Sequence, residues 1–230
     1  MRIFSKILPM ALLIAFLAQA SFATSGGVYD KDLVRGFLSL KGDFRSMKSD
    51  GVRFINTAAM HTDGDGKYSK NYVSGHAEIG AEYLKLRTWF DIDFMPITPK
   101  RGDTEWFSYG VTWMWGYKLL SQNSIFNMIP SIGPGVELMN IRADKEAELI
   151  SSFGPTLNLE LEIRLQGSQF SAGIYGGYKV VRHYSWDDLS ADRAPGWSSR
   201  GDINADRLFV GFKLSWTMLN SFQRKEKDLF

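Results

Sequence analysis

The stretch Phe153-Gly-Pro-Thr-Leu-Asn-Leu-Glu-Leu-Glu-Ile-Arg-Leu165 predicts how the chain folds, because every second residue from Phe153 is apolar. The residues between them include Asn158, Glu160, Glu162 and Arg164. A period of two is typical of a β-strand with one apolar and one charged face. The run extends back to Leu149, and at about 3.3 Å per residue it is long enough to cross a bilayer while tilted.

The same alternation recurs along the chain and predicts eight strands. They cover residues 33–47, 73–83, 86–94, 106–120, 125–141, 149–165, 170–181 and 207–218. The apolar positions change parity between the second and third strands, across a turn of one or two residues. A hairpin requires such a change to keep one face of the sheet apolar.

The connections between these strands alternate in length. Those near residues 84–86, 120–124 and 166–169 are short, whereas those near 48–71, 95–105, 142–148 and 182–206 are longer and polar. Transmembrane barrels have short periplasmic turns and long external loops, and an even strand count returns both termini to one side. Two local features are also expected: a short extra hairpin over 52–60, and a bulge or late pairing at Pro130 and Pro134.

The composition is that of an ordered protein and excludes several classes of function. Of the 230 residues, 44% are hydrophobic and 14% aromatic. The net charge of +2 is too small to indicate nucleic-acid binding, and no basic stripe is present. The absence of cysteine excludes disulfides, thiolate metal sites and a lipidated cysteine.

The N-terminus, residues 1–23, is expected to be a secretory signal peptide. Arg2 and Lys6 supply its positive start, residues 7–17 its apolar core, and 18–20 or 21–23 its small-residue cleavage site. A membrane-anchoring helix is the alternative, but the apolar core is short of the roughly 20 residues that a span needs. The chain then divides into a barrel over residues 24–218 and a polar C-terminal tail over 219–230.

Alternation alone does not say which face of the sheet is outside, so a soluble lipocalin-like barrel or a sandwich is the alternative. The apolar face carries no charged residue and holds roughly forty mostly bulky side chains, more than an eight-stranded interior can contain. Four aromatic residues lie toward the short-turn side, where an interfacial girdle belongs: Tyr83, Trp115, Tyr117 and Trp216. The sequence therefore predicts an all-β, eight-stranded, antiparallel up-and-down transmembrane barrel.

The charged face carries both signs in quantity and is expected to fill the lumen with ion pairs. The predicted lumen network comprises Lys41, Arg45, Glu78, Glu82, Asp91, Asp93, Glu160, Glu162, Arg164, Lys179 and Lys213. The same face also holds Arg35, Asp43, Arg87, Lys118, Glu137 and Arg207. Glu78 is expected near Asp91 or Asp93, and an eight-stranded interior is narrow enough for Lys41, Arg45, Lys179 or Lys213 to reach them from other strands. We therefore predict a closed or only narrowly conducting barrel.

The pattern resembles the small outer-membrane barrels of Gram-negative bacteria, the group that includes the OmpA transmembrane domain and OmpW-like proteins. Ile129-Pro-Ser-Ile-Gly-Pro-Gly-Val-Glu137 is similar to the proline-aromatic-x-glycine-x-glycine strand of that group, with Ser131 where an aromatic residue is usual. Members of the group usually finish on a strand with a terminal aromatic residue that the assembly machinery reads. Here the strand pattern stops near Met218, before Phe230. Either residues 208–216 are the assembly signal with an extension after it, or the last strand lies elsewhere.

The sequence offers weak signals for catalysis. His183-Tyr184-Ser185 resembles the His-x-Ser pair of outer-membrane lipid A deacylases, in which the His activates the Ser as a nucleophile. The Asn that commonly follows is replaced by Trp186, and no Glu lies in the next strand, so loop residues at the rim are the favoured interpretation. The acyltransferase barrels of the same membrane need a loop His with an Asp-Ser pair, for which His61 and Asp63 are too sparse.

Signals for ligand binding are equally weak. Asp63-Gly-Asp-Gly66 lacks the third acidic position and the distal Glu of a calcium loop, so it predicts a glycine turn. His76 is expected to be a hydrogen-bonded interior residue rather than a ligand. Arg101-Gly102-Asp103 and Arg200-Gly201-Asp202 repeat a tripeptide that is an integrin ligand in host-adhesion proteins, although two coincidental turns are favoured. No catalytic, cofactor-binding or metal residue is assigned.

The leading hypothesis is a non-enzymatic barrel of the bacterial outer membrane with a structural or surface-interaction, adhesion-like role through its external loops. A narrow channel for small or apolar solutes, as OmpW-like resemblance implies, is the first alternative. A lipid A-modifying enzyme is the second. The expected partners are outer-membrane lipids and lipopolysaccharide, the barrel-assembly machinery and an extracellular ligand of the loops. Nucleic acid and cofactors are not expected.

Overall fold

The computed structural model describes residues 34–60, 68–95, 100–101, 104–120, 124–143, 148–167, 169–185 and 203–218. Several of the predictions above lie outside these residues. They are the signal peptide, His61, the turn at Asp63–Gly66, the two Arg-Gly-Asp tripeptides apart from Arg101, and the tail over 219–230. These stay predictions.

Within the described residues, eight long antiparallel strands form one closed barrel. They are β1 (Val34–Met47), β2 (Asn71–Tyr83), β3 (Leu86–Phe94), β4 (Thr104–Tyr117), β5 (Phe126–Ala143), β6 (Glu148–Gln166), β7 (Phe170–Ser185) and β8 (Arg207–Thr217). Each strand pairs with the next along the chain, and β8 pairs back with β1, for example at Leu38 and Trp216. All eight predicted strands and the up-and-down topology are confirmed.

Two short strands extend the rim of the barrel. Lys100–Arg101 pairs with β4, and Ile203–Asn204 pairs with β7. Both lie in connections that the sequence predicts to be long loops. They lengthen the wall at the end of the barrel where the long connections gather, called the loop end below.

A helix, α1 (Ser49–Met60), replaces the extra hairpin predicted over 52–60, so that prediction is wrong. The buried side chains in this segment follow a helical period, because Gly51, Phe54 and Ile55 are buried while Arg53 is exposed. Asp50 in the first turn also complements the helix dipole. In the part of the chain that the structure describes, helices are too short or too polar to cross a membrane.

The two faces of the wall are as the sequence predicts, with the apolar face outward. The exposed fraction of the side chain is 69% for Leu40 and 74% for Phe212, whereas Lys41 and Lys213 beside them are buried. A barrel in water would expose this apolar belt at a large cost in free energy, but hydrocarbon accepts it. An apolar exterior around a charged interior is the arrangement of transmembrane β-barrels.

The two prolines of β5 do not shift the strand register. On both sides of the interruption the pairing with β4 keeps one register, from Thr112 with Gly135 to Trp115 with Ile132. Between these two pairs, Gly133 and Pro134 of β5 are not paired with β4. The bulge is therefore wrong, whereas the alternative of late pairing stays a prediction. Pro134 lacks an N–H, and Gly133 lets β5 pass so close to β4 that a Cβ there would clash with the Trp113 carbonyl oxygen.

Candidate functional site in the barrel interior

The interior of the barrel holds a set of buried charges whose signs balance. Among the described residues, eight acids and eight bases are buried inside the wall, apart from Asp206 at the loop end. The acids are Asp43, Glu78, Glu82, Asp91, Asp93, Glu137, Glu160 and Glu162, and the bases are Lys41, Arg45, Arg87, Lys118, Arg164, Lys179, Arg207 and Lys213. An interior with no net charge needs no counterions to enter from water.

Nearest the short turns, Glu82 is the centre of a group of cations. It contacts Lys118, and its Oε1 lies 3.2 Å from Arg164 Nη1 and 3.3 Å from Arg87 Nε. Both arginines also reach Glu162, at 2.5 Å from Arg164 Nε and 3.2 Å from Arg87 Nη1. These five residues come from β2, β3, the turn after β4, and β6, so their ion pairs cross the interior.

In the middle of the barrel two lysines bridge four carboxylates. Lys41 Nζ lies 3.0 Å from Glu78, 3.0 Å from Asp91 and 2.8 Å from Glu160. Lys213 Nζ lies 2.6 Å from the other oxygen of Glu78 and 3.1 Å from Glu162. Glu78 and Asp91 are directly paired across the β2–β3 hairpin. The like charges that the register places side by side are thus separated by a shared cation.

A third group surrounds His76. Its Nδ1 lies 2.7 Å from Asp91 and its Nε2 lies 2.9 Å from Asp43. Asp43 also accepts hydrogen bonds from Arg45 Nε at 2.9 Å and from the Tyr175 hydroxyl at 3.1 Å. His76 is therefore a hydrogen-bonded interior residue, as expected from the sequence.

Toward the loop end, Glu137 collects several donors. Arg207 binds it with both terminal nitrogens, one of them at 2.9 Å from Oε2, and Lys179 Nζ lies 3.0 Å from it. His183 Nε2 lies 3.2 Å from Glu137, and Ser152 Oγ lies 3.2 Å from His183 Nδ1. His183 is fully buried on β7, so its predicted position in a loop at the rim is wrong.

Ser152, His183 and Glu137 are the residue types of a hydrolase triad, but all three are buried and bound to neighbouring side chains. Ser152, His183 and Glu137 are at most 1% exposed. The Glu137 carboxylate is already neutralised by Arg207 and Lys179. A nucleophile needs room for a reacting carbonyl and donors for its oxyanion, whereas here each polar atom is held by a neighbouring side chain. Across the described residues, groups of side chains able to hold a metal ion are absent as well.

Apolar side chains fill the rest of the interior. Phe37, Trp89 and Met114 form a small buried cluster on the side of β1, β3 and β4. The guanidinium of Arg87 stacks 3.6 Å from the centre of the Phe37 ring, and Lys213 Nζ lies 5.0 Å from the Trp89 ring. The charged groups thus rest on aromatic faces as well as on carboxylates.

A larger apolar cluster, the mouth cluster, occupies the loop end. It consists of Met47, Phe54, Ile55, Tyr68, Tyr72, Met95, Trp106, Met139, Ile141, Val181, Ile203 and Ala205, all buried, with Val52 packed against it. Tyr72 and Trp106 meet edge to face with ring centroids 5.1 Å apart. Within the described part of the chain, this cluster lies on the loop-end side of Glu137. It therefore separates the ion pairs of the lumen from the long connections.

The structure places all eleven residues of the predicted lumen network inside the barrel and joins them into ion pairs. Five further charged residues of the same face complete the network: Asp43, Arg87, Lys118, Glu137 and Arg207. All five lie on the charged face that strand parity predicts. Tyr83, Trp115, Tyr117 and Trp216 are exposed on the outer face toward the short turns, and their role as a girdle stays a prediction.

Comparisons with known proteins add distant likenesses. No protein-family model matches the chain, and no curated protein matches its sequence. Similar solved structures include Ail of Yersinia pestis, at 10% identity and a TM-score of 0.48 over 80% of this chain and 99% of that chain. A major outer membrane protein of Thermus thermophilus shares 11% identity, with a TM-score of 0.48 and the same coverage.

The outer membrane protease OmpT of Escherichia coli is also similar, at 8% identity and a TM-score of 0.42 over 85% of this chain and 100% of that chain. These likenesses are distant, and none of them assigns a role to this chain.

Proposed function

We propose that the protein is a non-conducting, non-enzymatic barrel of the bacterial outer membrane with a structural or surface-interaction role through its external loops. The observation that carries this proposal is the filled lumen. Ion pairs from Glu82 near the short turns to Glu137 near the loop end occupy the interior, and the mouth cluster lies above them. A water-filled path requires a wider barrel or a less crowded wall.

The outer-membrane location is supported by the chain's own architecture. An even number of antiparallel strands, short turns at one end, long connections at the other and an apolar belt are features of bacterial outer-membrane barrels. The expected result is recovery in the outer-membrane fraction, with a gel mobility that changes when the detergent-extracted protein is boiled. A soluble periplasmic protein with one mobility would contradict the proposal.

Planar-bilayer recording separates this role from that of a narrow channel. The unmodified protein is expected to give no steady conductance, because the buried lysines and carboxylates are paired with each other rather than with mobile ions. A large, steady, porin-like conductance would overturn the proposal. Flux of small apolar solutes into vesicles would favour the channel instead, and altered lipid A in an overexpressing strain would favour the enzyme.

The surface role itself is tested by exchanging the long connections. Replacing residues 186–202 with a short turn is expected to abolish binding of cells to host or abiotic surfaces while leaving the heat-dependent mobility intact. The matched control replaces residues 121–123, in the short connection between β4 and β5. Equal effects of both exchanges would argue against a role for the external loops.

Two kinds of partner, lipids and the assembly machinery, are proposed from the architecture of the barrel. Lipopolysaccharide and phospholipid are expected against the apolar belt, and the assembly machinery is expected to read β8. This strand ends at Thr217 and closes the barrel, and the Met218 N–H bonds to the Gly36 carbonyl at 2.8 Å. Removal of residues 219–230 should then leave assembly intact, whereas Trp216→Ala should slow it. If only the removal impairs assembly, the terminal Phe230 is the signal.

A further inference from the structure

Helix α1 covers the loop end of the lumen. Its buried side includes Gly51, Phe54 and Ile55, and the latter two are at most 2% exposed. They pack into the mouth cluster with residues from several strands, among them Trp106 and Val181. Arg53, on the opposite side of the helix, is exposed. The helix therefore lies across the mouth as an amphipathic cover.

The barrel wall closes without α1. The two strands that flank the helix in sequence, β1 and β2, pair directly with each other from Val34 with Tyr83 to Ser46 with Asn71. The β8–β1 ladder is likewise continuous from Phe37 with Thr217 to Met47 with Arg207. A helix also satisfies its own backbone groups over most of its length. Detaching α1 therefore removes no ladder hydrogen bond from the barrel.

Asp206, just before β8, ties the start of α1 to the rim. Its carboxylate accepts hydrogen bonds from the Tyr178 hydroxyl at 2.7 Å, the Val181 N–H at 2.9 Å and Lys48 Nζ at 3.0 Å, and it also contacts Arg182. Its backbone carbonyl accepts the Lys48 N–H at 2.8 Å. Lys48 immediately precedes the helix, so Asp206 connects the start of the helix to β7 and β8.

Gly51 lies close to the rim, and a Cβ at this position would first meet Met47 Sδ, at 2.6 Å. A Cβ at this position would lie 3.0 Å from the Ala205 Cβ and 3.1 Å from the Ala205 Cα. A real Cβ would thus press on the backbone of the segment before β8. A bulky side chain at position 51 would therefore push the helix away from Ala205.

We propose that α1 is a lid, a separable element that seals the mouth of the lumen and can leave it while the barrel stays closed. When the lid is displaced, the walls of the mouth cluster on β4, β5 and β7 face the loop end, with Glu137 and His183 beneath them. The ion pairs nearer the short turns stay in place. The inference thus goes beyond the proposed non-conducting role and does not depend on it.

Cysteine labelling tests the lid, because the chain has no cysteine of its own. Val181→Cys places a thiol in the mouth cluster, at a side chain that is fully buried. In detergent micelles, a charged maleimide is expected to label this thiol slowly. Adding Gly51→Leu should raise the labelling rate by about tenfold or more, since labelling follows the population of the open form. Arg53→Leu, on the exposed side of the same helix, should leave the rate unchanged.

A second variant tests whether the barrel folds without α1. Replacing residues 49–60 with a Gly-Ser linker of equal length is expected to preserve the heat-dependent mobility and to give the fast labelling rate. Loss of the mobility shift would show that α1 is part of the barrel fold and would overturn the proposal. Equal labelling rates with and without α1, in a folded barrel, would overturn it as well. Conductance is a separate readout, so a porin-like current would count against the non-conducting role alone.

Discussion

Lys41 on β1 and Glu160 on β6 meet inside the barrel, with Nζ 2.8 Å from a carboxylate oxygen. Neither strand pairs with the other in the wall, so this contact spans the lumen. The ladder alone fixes which strands are neighbours, whereas such ion pairs tie strands that are not neighbours. The interior charges therefore act as cross-links within the barrel as well as filling it.

The first prediction concerns the loss of one buried cation. Lys213→Ala should lower the free energy of unfolding by about 3 kcal/mol, because Glu78 and Glu162 each lose a partner inside the barrel. The value is placed at the low end of the range for broken buried pairs, since Lys41 still contacts Glu78. Urea titration in lipid vesicles, followed by the mobility shift, measures the change.

The same substitution in a turn provides the control for this prediction. Lys85 lies in the short turn between β2 and β3 and is only partly buried. Lys85→Ala should change the free energy of unfolding by less than about 0.5 kcal/mol. Equal effects of the two variants would show that the interior pairs contribute no more than surface charges.

The second prediction concerns the lipid face. Leu159 points outward near the middle of β6, where it pairs with Ile132 and Tyr178. Leu159→Arg should cost about 2–4 kcal/mol if this position lies at the bilayer midplane, whereas the same change at the interface costs about 0–1 kcal/mol. Leu84→Arg, in the β2–β3 turn, is the interfacial control. A Leu159→Arg protein as stable as its parent would place this face away from lipid.

The eight strands and their facing could be predicted because a period of two is local in sequence. Every lumen charge follows from the parity of its strand, and so does the balance of signs. The alternation in β7 predicts a strand that ends at Val181, because nothing in Arg182-His183-Tyr184 by itself shows that pairing with β6 continues. It therefore predicts, wrongly, that His183 lies in a loop. The cations that reach the acids of β2 and β3 could be predicted as a group, but which cation pairs with which acid depends on which strands face each other across the lumen.

Helix α1 could not be predicted from the sequence, for a different reason. The same holds for the contacts by which Asp206 ties the helix to the rim, called the Asp206 clamp. Val52, Phe54 and Ile55 are apolar, and so short a run fits a strand as well as a helix. Their burial depends on Val181 and Ile203, which are more than a hundred residues away in the sequence. The apolar side chains of the mouth cluster that stabilise the helix come together only once the barrel has closed.

The third prediction concerns the tight turn between β2 and β3. Leu84 has a φ of 52°, a conformation in which a Cβ is unfavourable for an L-residue. Leu84→Gly should therefore stabilise the barrel by about 1 kcal/mol, measured as a higher urea midpoint. Lys85→Gly next to it should instead destabilise by about 0.5–1 kcal/mol, because a non-glycine residue is already unstrained there. A lower midpoint for Leu84→Gly would contradict the argument.

The last prediction concerns the effect of low pH on the Asp206 clamp, which holds α1 at the rim. Burial by itself would raise the pKa of Asp206, but four donors oppose it and lower the pKa from 3.8 to about 2. Since the folded-state pKa is the lower one, this carboxylate stabilises the protein fully above about pH 4. Its contribution is lost as the pH falls toward about 2. After solvent screening, the contribution is on the order of 1 kcal/mol.

Asp206→Asn should therefore be less stable than the parent at pH 7 by about that amount, and the gap should close near pH 2 as the parent's carboxylate becomes protonated. The lumen carboxylates titrate in both proteins, so the difference between the two curves isolates Asp206. Asp50→Asn, in the first turn of α1, is the control and should lose only about 0.3–1 kcal/mol through the helix dipole. A gap between parent and Asp206→Asn that persists unchanged at pH 2 would mean that the carboxylate charge at Asp206 does not hold the clamp.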